Sequence, residues 1–201
     1  MTMSIYSIDY GTISVSDFEL NRNEVALRLK TERGFTSPEI ERCLTSLLSC
    51  SCVKYSCARV SVIRGDNGSL DLGFGKFQSK DLTKNLQGCM EAFVLAITIG
   101  SEADRLIKKL ALISPSDLFI TDGLASALVE SACDEAERRI KGELICSPRF
   151  SPGYGDLPLS VQPGILKLLN AERLLGIKLN ENLMMTPTKT ITAIMGIKNE
   201  N

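Results

Sequence analysis

Hydrophobic and polar positions change period several times along this chain, and each change marks an expected element. Residues 23–32 read as a short helix that Gly34 is placed to end. In the helix that follows, Thr36 or Ser37 can cap, Pro38 suits the first position, and Ile40, Leu44, Leu47 and Leu48 repeat at helical spacing. From Cys57 the period drops to two. Ala58, Val60 and Val62 share one parity, Gly65-Asp66-Asn67-Gly68 makes a turn, and Leu70, Leu72 and Phe74 resume the alternation, which predicts a β-hairpin.

Residues 92–99 form a nearly unbroken apolar run ending at Gly100-Ser101, and the amphipathic segment 102–112 follows: a buried strand leading into a helix. Ser114-Pro115-Ser116-Asp117 starts a long helix predicted to reach about Leu144, with Leu118, Leu124, Leu128 and Ala132 inward and Glu135, Glu137, Arg138 and Lys141 outward. The prolines and glycines of residues 146–163 require a shaped loop. Beyond it, Ile165, Leu168, Leu169 and Leu175 support a helix ending at Gly176, and residues 183–185 and 191–197 read as closing strands. The predicted class is α+β: one domain over residues 1–201, in which the hairpin, the buried strand and the C-terminal strands form one mixed or antiparallel twisted sheet packed by long helices.

Composition narrows the functions. The 201 residues are 44% hydrophobic, enough for a sizeable core, and no linker-like stretch divides them. A net charge of -1 gives nucleic acid or an anionic membrane no clustered basic surface to bind. The first residues carry Asp9 and no basic-then-apolar run, and no window approaches the roughly 18 apolar residues of a membrane span. The expected address is the cytoplasm, where the seven cysteines stay reduced. Cys50, Cys52 and Cys57 do not have zinc-finger spacing, so no metal site is expected. The chain has no histidine, which excludes imidazole-based triads, metal ligation and acid–base catalysis together.

One segment has the makings of a binding site: Arg149-Phe150-Ser151-Pro152-Gly153-Tyr154-Gly155-Asp156. Arg149 offers a planar fork suited to a carboxylate or phosphate, Pro152-Gly153 turns the chain and uncovers backbone, and Tyr154 adds an aromatic face. Together they can hold a molecule with a carboxylate at one end and a ring at the other. The same residues also admit a purely structural reading, in which Arg149 caps the carbonyls of the preceding helix and Tyr154 packs on the core. The segment by itself leaves both open.

The wider context favours binding. Arg-x-x-x-Gly-Tyr is followed by Leu-Leu-Asn-Ala-Glu-Arg-Leu-Leu-Gly-Ile at residues 168–177, by Leu179-Asn180-Glu181-Asn182, and by Met185-Thr186-Pro187-Thr188-Lys189-Thr190-Ile191-Thr192-Ala193-Ile194-Met195-Gly196-Ile197. Ala125-Ser126-Ala127-Leu128-Val129-Glu130 precedes it on the long helix. In order and spacing these resemble the activation domain of cobalamin-dependent methionine synthase. The likeness is clear over residues 122–197 and looser over 96–105, so that 92–197 form the matched core and 1–90 are unmatched.

The resemblance implies S-adenosylmethionine as ligand. Arg149 would pair with the methionine carboxylate, backbone groups of Ser151 and Gly153 and the ring of Tyr154 would meet the adenosine, and Glu130 would hold the amino group. It implies no catalytic residue in this chain. The implied role is that of a stand-alone accessory subunit supporting reductive remethylation of cob(II)alamin on a partner, a cobalamin-dependent methionine synthase lacking its own activation domain. Flavodoxin or another donor would supply the electron. The corrinoid, homocysteine and folate modules do not fit in this length, so action in trans is expected.

Two ligand contacts of the fused domain, a tyrosine after the closing strand and an N-terminal acid, have no counterpart here, and Asp9 beside Tyr10 stands in no matching context. The alternative is therefore a scaffold or activator of another corrinoid methyltransferase system that binds no S-adenosylmethionine itself. An ordinary S-adenosylmethionine-dependent methyltransferase is disfavoured, because only Gly100 follows the best strand where a glycine-rich turn is needed.

Overall fold

The computed structural model describes residues 7–198. In chain order its elements are β1 (Ile8–Ile13), α1 (Arg22–Leu29), α2 (Pro38–Cys50), β2 (Val53–Ser61), β3 (Ile63–Arg64), β4 (Ser69–Asp71), β5 (Lys76–Gln78), α3 (Lys80–Asn85) and β6 (Cys89–Thr98). Then come α4 (Ser101–Ile113), α5 (Pro115–Lys141), a 3-10 turn (Leu159–Val161), α6 (Gln162–Leu168), α7 (Ala171–Leu175), β7 (Lys178–Leu179), β8 (Met185–Thr186) and β9 (Thr190–Lys198).

The main sheet is antiparallel throughout, in the order β1-β2-β6-β9. β6 lies inside it and is covered on both faces, which is why its sequence is an unbroken apolar run and not an alternation. Leu95 and Ile97 face one core with Leu47, Leu124, Leu128 and Met195, under the layer made by α1, α2, α4 and α5. Val94 and Ala96 face a second core with Leu72, Leu82, Leu86, Leu157, Ile165 and Ile194, beneath α3, α6, α7 and the β3-β4-β5 meander.

Local chemistry sets most boundaries. Ser37 caps α2 by accepting the N–H of Ile40, with Pro38 in its first turn. Ser114 does the same for α5 through Asp117 N–H. Gly100, at φ 92°, makes the junction between β6 and α4. α1 ends earlier than Gly34 suggested, because Lys30 itself takes the left-handed conformation and closes the helix onto Ala26 O.

Three other expectations need correction. The anticipated hairpin forms only at its tip, where β3 and β4 pair antiparallel across the Gly65–Gly68 turn, Ile63 opposite Asp71 and Arg64 opposite Leu70. Ala58 and Val60 lie on β2, which starts at Val53 and pairs with β1 and β6, whereas Leu70 pairs within the small meander. All the same, Ala58, Val60, Val62, Leu70 and Leu72 share one buried cluster: the period identified the buried face but not the pairing partner. The helix expected over 165–175 breaks at Asn170, which sits at φ 49°. Finally, the closing strands do not join one sheet, because β8 pairs with β7 in a separate ribbon.

Candidate functional site: a guanidinium between a loop and a helix

The segment after α5 runs along β9, on the outer side of the main sheet. Ser147 N–H donates to Gly196 O (2.8 Å), Phe150 N–H to Ile194 O (2.9 Å), and Ile194 N–H back to Phe150 O (2.9 Å). This course brings Arg149 beside α5. There Glu130, Asp134 and Glu137, at i, i+4 and i+7, present three carboxylates along one stripe of the helix. Arg149 Nη1 lies 2.7 Å from Asp134 Oδ1 and 3.3 Å from Glu137 Oε2, and Nη2 lies 3.4 Å from Glu130 Oε2.

The Arg149 side chain is 21% exposed. Burial opposes its charge, but the neighbouring Cys133, Asp134 and Glu137 together raise the guanidinium's pKa above its ordinary value. Beneath it the Cys133 thiol is pushed up to about 12 by burial and stays protonated at neutral pH.

The turn that follows is internally bonded. Tyr154 N–H donates to Ser151 O (3.1 Å), Gly153 N–H to Leu157 O (2.8 Å), and Leu157 N–H to Tyr154 O (3.1 Å). Gly153 stands at φ 90°, which favours glycine. Buried Pro152 and Leu157 root the turn, while Tyr154 is 70% exposed. Neither part of the purely structural reading holds: Tyr154 does not pack on the core, and Arg149 pairs with carboxylates instead of capping carbonyls.

Of the residues singled out in the sequence, Arg149 and Glu130 meet directly, and Ser151, Gly153 and Tyr154 share one tight turn. The Ser151 carbonyl and Gly153 N–H are used within that turn. Asp9 lies on β1, at the opposite end of the sheet order from β9, where it accepts a 3.5 Å hydrogen bond from Tyr55.

Sequence reasoning missed Asp134 and set Glu137 aside as solvated; their helical spacing from Glu130 was the available signal. It also assigned Glu135 to solvent. In fact Glu135 is 8% exposed, with its carboxylate held by Arg138 and Arg139. Asp134 lines an adjacent groove of about 600 Å³ together with Phe18, Arg22, Arg33 and Ser131.

Much of the motif downstream serves the fold. Buried Asp104 accepts both the N–H and the hydroxyl of Thr188 at 2.8 Å. Lys189 meets Asp122 at 2.8 Å, and Gln162 accepts the Thr192 hydroxyl at 2.7 Å. Among the described residues no helix is long and apolar enough to cross a membrane, and no cluster of side chains has the make-up of a metal site.

A single α+β unit with an antiparallel sheet, a long helix across one face and a shaped loop along the last strand defines the class of this protein. It has the fold of the methionine synthase reactivation domain. Among solved structures the chain is similar to the MetH reactivation domain bound to AdoHcy, with a TM-score of 0.73 over 98% of this chain and 80% of that one. Sequence identity is 14%, so the likeness is one of fold, and it extends over the N-terminal part that sequence alone left unmatched. No family profile and no curated protein matches the sequence.

Proposed function

We propose that this protein binds S-adenosylmethionine at the Arg149 loop and supports reductive remethylation of cob(II)alamin carried by a separate methionine synthase polypeptide. The observation that carries the reading is the pairing of Arg149 with Glu130, with an exposed Tyr154 five residues along the same loop, on a fold shared with a domain whose structure contains AdoHcy.

The ligand's chemistry fits these groups: a carboxylate for the guanidinium, an ammonium for an acid, and a sulfonium for an aromatic face. In the reaction the methyl group passes from sulfur to cobalt with one electron from a donor of flavodoxin type, leaving S-adenosylhomocysteine. This chain's part is to bind and orient. The methionine synthase partner, the donor and a cytoplasmic setting belong to the same proposal.

One observation favours the second reading, a scaffold for another corrinoid system. Arg149 is already engaged by three carboxylates, so a ligand has to displace at least one. Calorimetric titration of S-adenosylmethionine into the native chain and Arg149→Ala, alone and with cobalamin-loaded methionine synthase, separates the two. Binding that disappears in the variant supports the lead reading. No binding under either condition leaves the scaffold.

A further inference from the structure

The loop motif closes on Asp156, to which the proposed ligand site gives no role, and the structure ties this residue to a distant segment. Its Oδ1 accepts hydrogen bonds from Ser79 Oγ (2.5 Å) and Asp81 N–H (3.2 Å), and its Oδ2 accepts from Lys80 N–H (2.7 Å), all at the start of α3. In return Asp81 Oδ2 accepts the N–H of Asp156 at 3.2 Å. Each acid thus satisfies the other's backbone, the logic of a capping box carried across two segments.

The far end of the same helix holds the other end of the loop. Asn85 Nδ2 donates to Pro148 O (3.0 Å), and Asn85 Oδ1 accepts from Ser147 Oγ (2.7 Å), which in turn accepts Gly196 N–H (2.8 Å). Gly155 permits the close approach, because a Cβ there would collide with the Asp81 carboxylate. Leu82 and Leu86 are fully buried and root α3 in the second core. Residues 147–156, which carry Arg149, Ser151, Gly153 and Tyr154, are therefore slung between the two ends of a helix only six residues long.

We propose that Asp156 and Asp81 are positioning residues of the ligand loop, their reciprocal bonds fixing the 151–154 turn and Tyr154 relative to Arg149. This rests on the reading of the loop as the S-adenosylmethionine site. With the bonds to α3 removed, the loop keeps its anchor at Ser147 and Pro148 and the apolar footing of Pro152 and Leu157 but loses its polar tie to α3 beyond Tyr154, so ordering the turn becomes a cost charged to binding.

The test is titration of S-adenosylmethionine into native protein, Asp156→Ala, Asp156→Asn and Ser37→Ala, with thermal midpoints and amide hydrogen exchange over residues 151–154 measured alongside. Ser37→Ala removes a helix cap of the same kind, on α2, and serves as the structural control. Asp156→Ala is expected to weaken binding by about tenfold and to speed exchange in the turn. Asp156→Asn, which keeps one acceptor oxygen, recovers part of both, and Ser37→Ala lowers the midpoint without changing either. Native affinity in Asp156→Ala overturns the positioning role. If the native chain binds neither alone nor with cobalamin-loaded methionine synthase, the ligand reading fails separately, and the exchange comparison decides the role alone: unchanged exchange in Asp156→Ala sinks it.

Discussion

The carboxylate nearest Arg149 is that of Asp134, at 2.7 Å, and not that of Glu130, at 3.4 Å. A ligand carboxylate that reaches the guanidinium must compete with Asp134 first. The same acid adds negative charge to a site proposed for a ligand that carries a sulfonium, so its two effects on that ligand oppose each other.

Asp134→Asn removes the competitor and the charge together. Neutral S-adenosylhomocysteine gains from the first loss, whereas S-adenosylmethionine also forfeits an attraction of about 1 kcal/mol at the high effective dielectric of a half-exposed site. The ratio of the two affinities is therefore expected to shift toward the thioether by several-fold. Calorimetry with both ligands measures it, and an unchanged ratio rejects this electrostatic account.

Gly153→Ala should damage the loop more than the fold. Its φ of 90° and a Leu159 methyl that would stand 3.2 Å from the new Cβ give a local strain of about 1–3 kcal/mol. Most of it is expected in weakened ligand binding, with a small change in the urea midpoint. A variant that binds as well as native protein would show that the turn is not part of the site.

Asp104→Ala, by contrast, should act on stability alone. It removes the buried carboxylate that accepts the N–H and hydroxyl of Thr188, at a cost of about 1–3 kcal/mol. Chemical denaturation with an unchanged m-value and a lowered midpoint is the expected result, and a midpoint within error of native would contradict it.

Glu135 predicts a pH dependence. Hydrogen bonding from Arg138, aided by Arg139, depresses its pKa from 4.5 to about 2 against the opposing effect of burial. A depressed carboxyl contributes its full stabilisation above the ordinary value and loses it as pH falls through the folded one. The native chain should thus lose stability between pH 4.5 and about 2, whereas Glu135→Gln, less stable at neutral pH, should lose less over that range. Thermal midpoints of both proteins across the interval test this; parallel curves would exclude Glu135 as a source of acid sensitivity.

Individual elements show where sequence reading reached and where it stopped. Capping residues act within one turn, so neighbours alone identified Ser114 and narrowed the cap of α2 to Thr36 or Ser37, of which the structure uses Ser37. Glu135 was misplaced because an acid on a helix is presumed solvated until its partners are known, and one of them, Arg139, also bridges to the distant Asp17. α3 went unrecognised because, at six residues, it carries too little periodicity to register.

By itself, the sequence determined the α+β class, the main helix starts, the buried strand at β6 and the loop containing Arg149 and Tyr154, because capping, periodicity and turn chemistry are written in adjacent residues. Tertiary structure alone decided that β2 pairs with β6 and not with its hairpin neighbour, that three acids of α5 surround Arg149, and that α3 anchors both ends of the loop. Each of these joins groups remote in the chain, and which remote groups meet depends on how the sheet and its two covering layers pack, a cooperative outcome that no local pattern encodes.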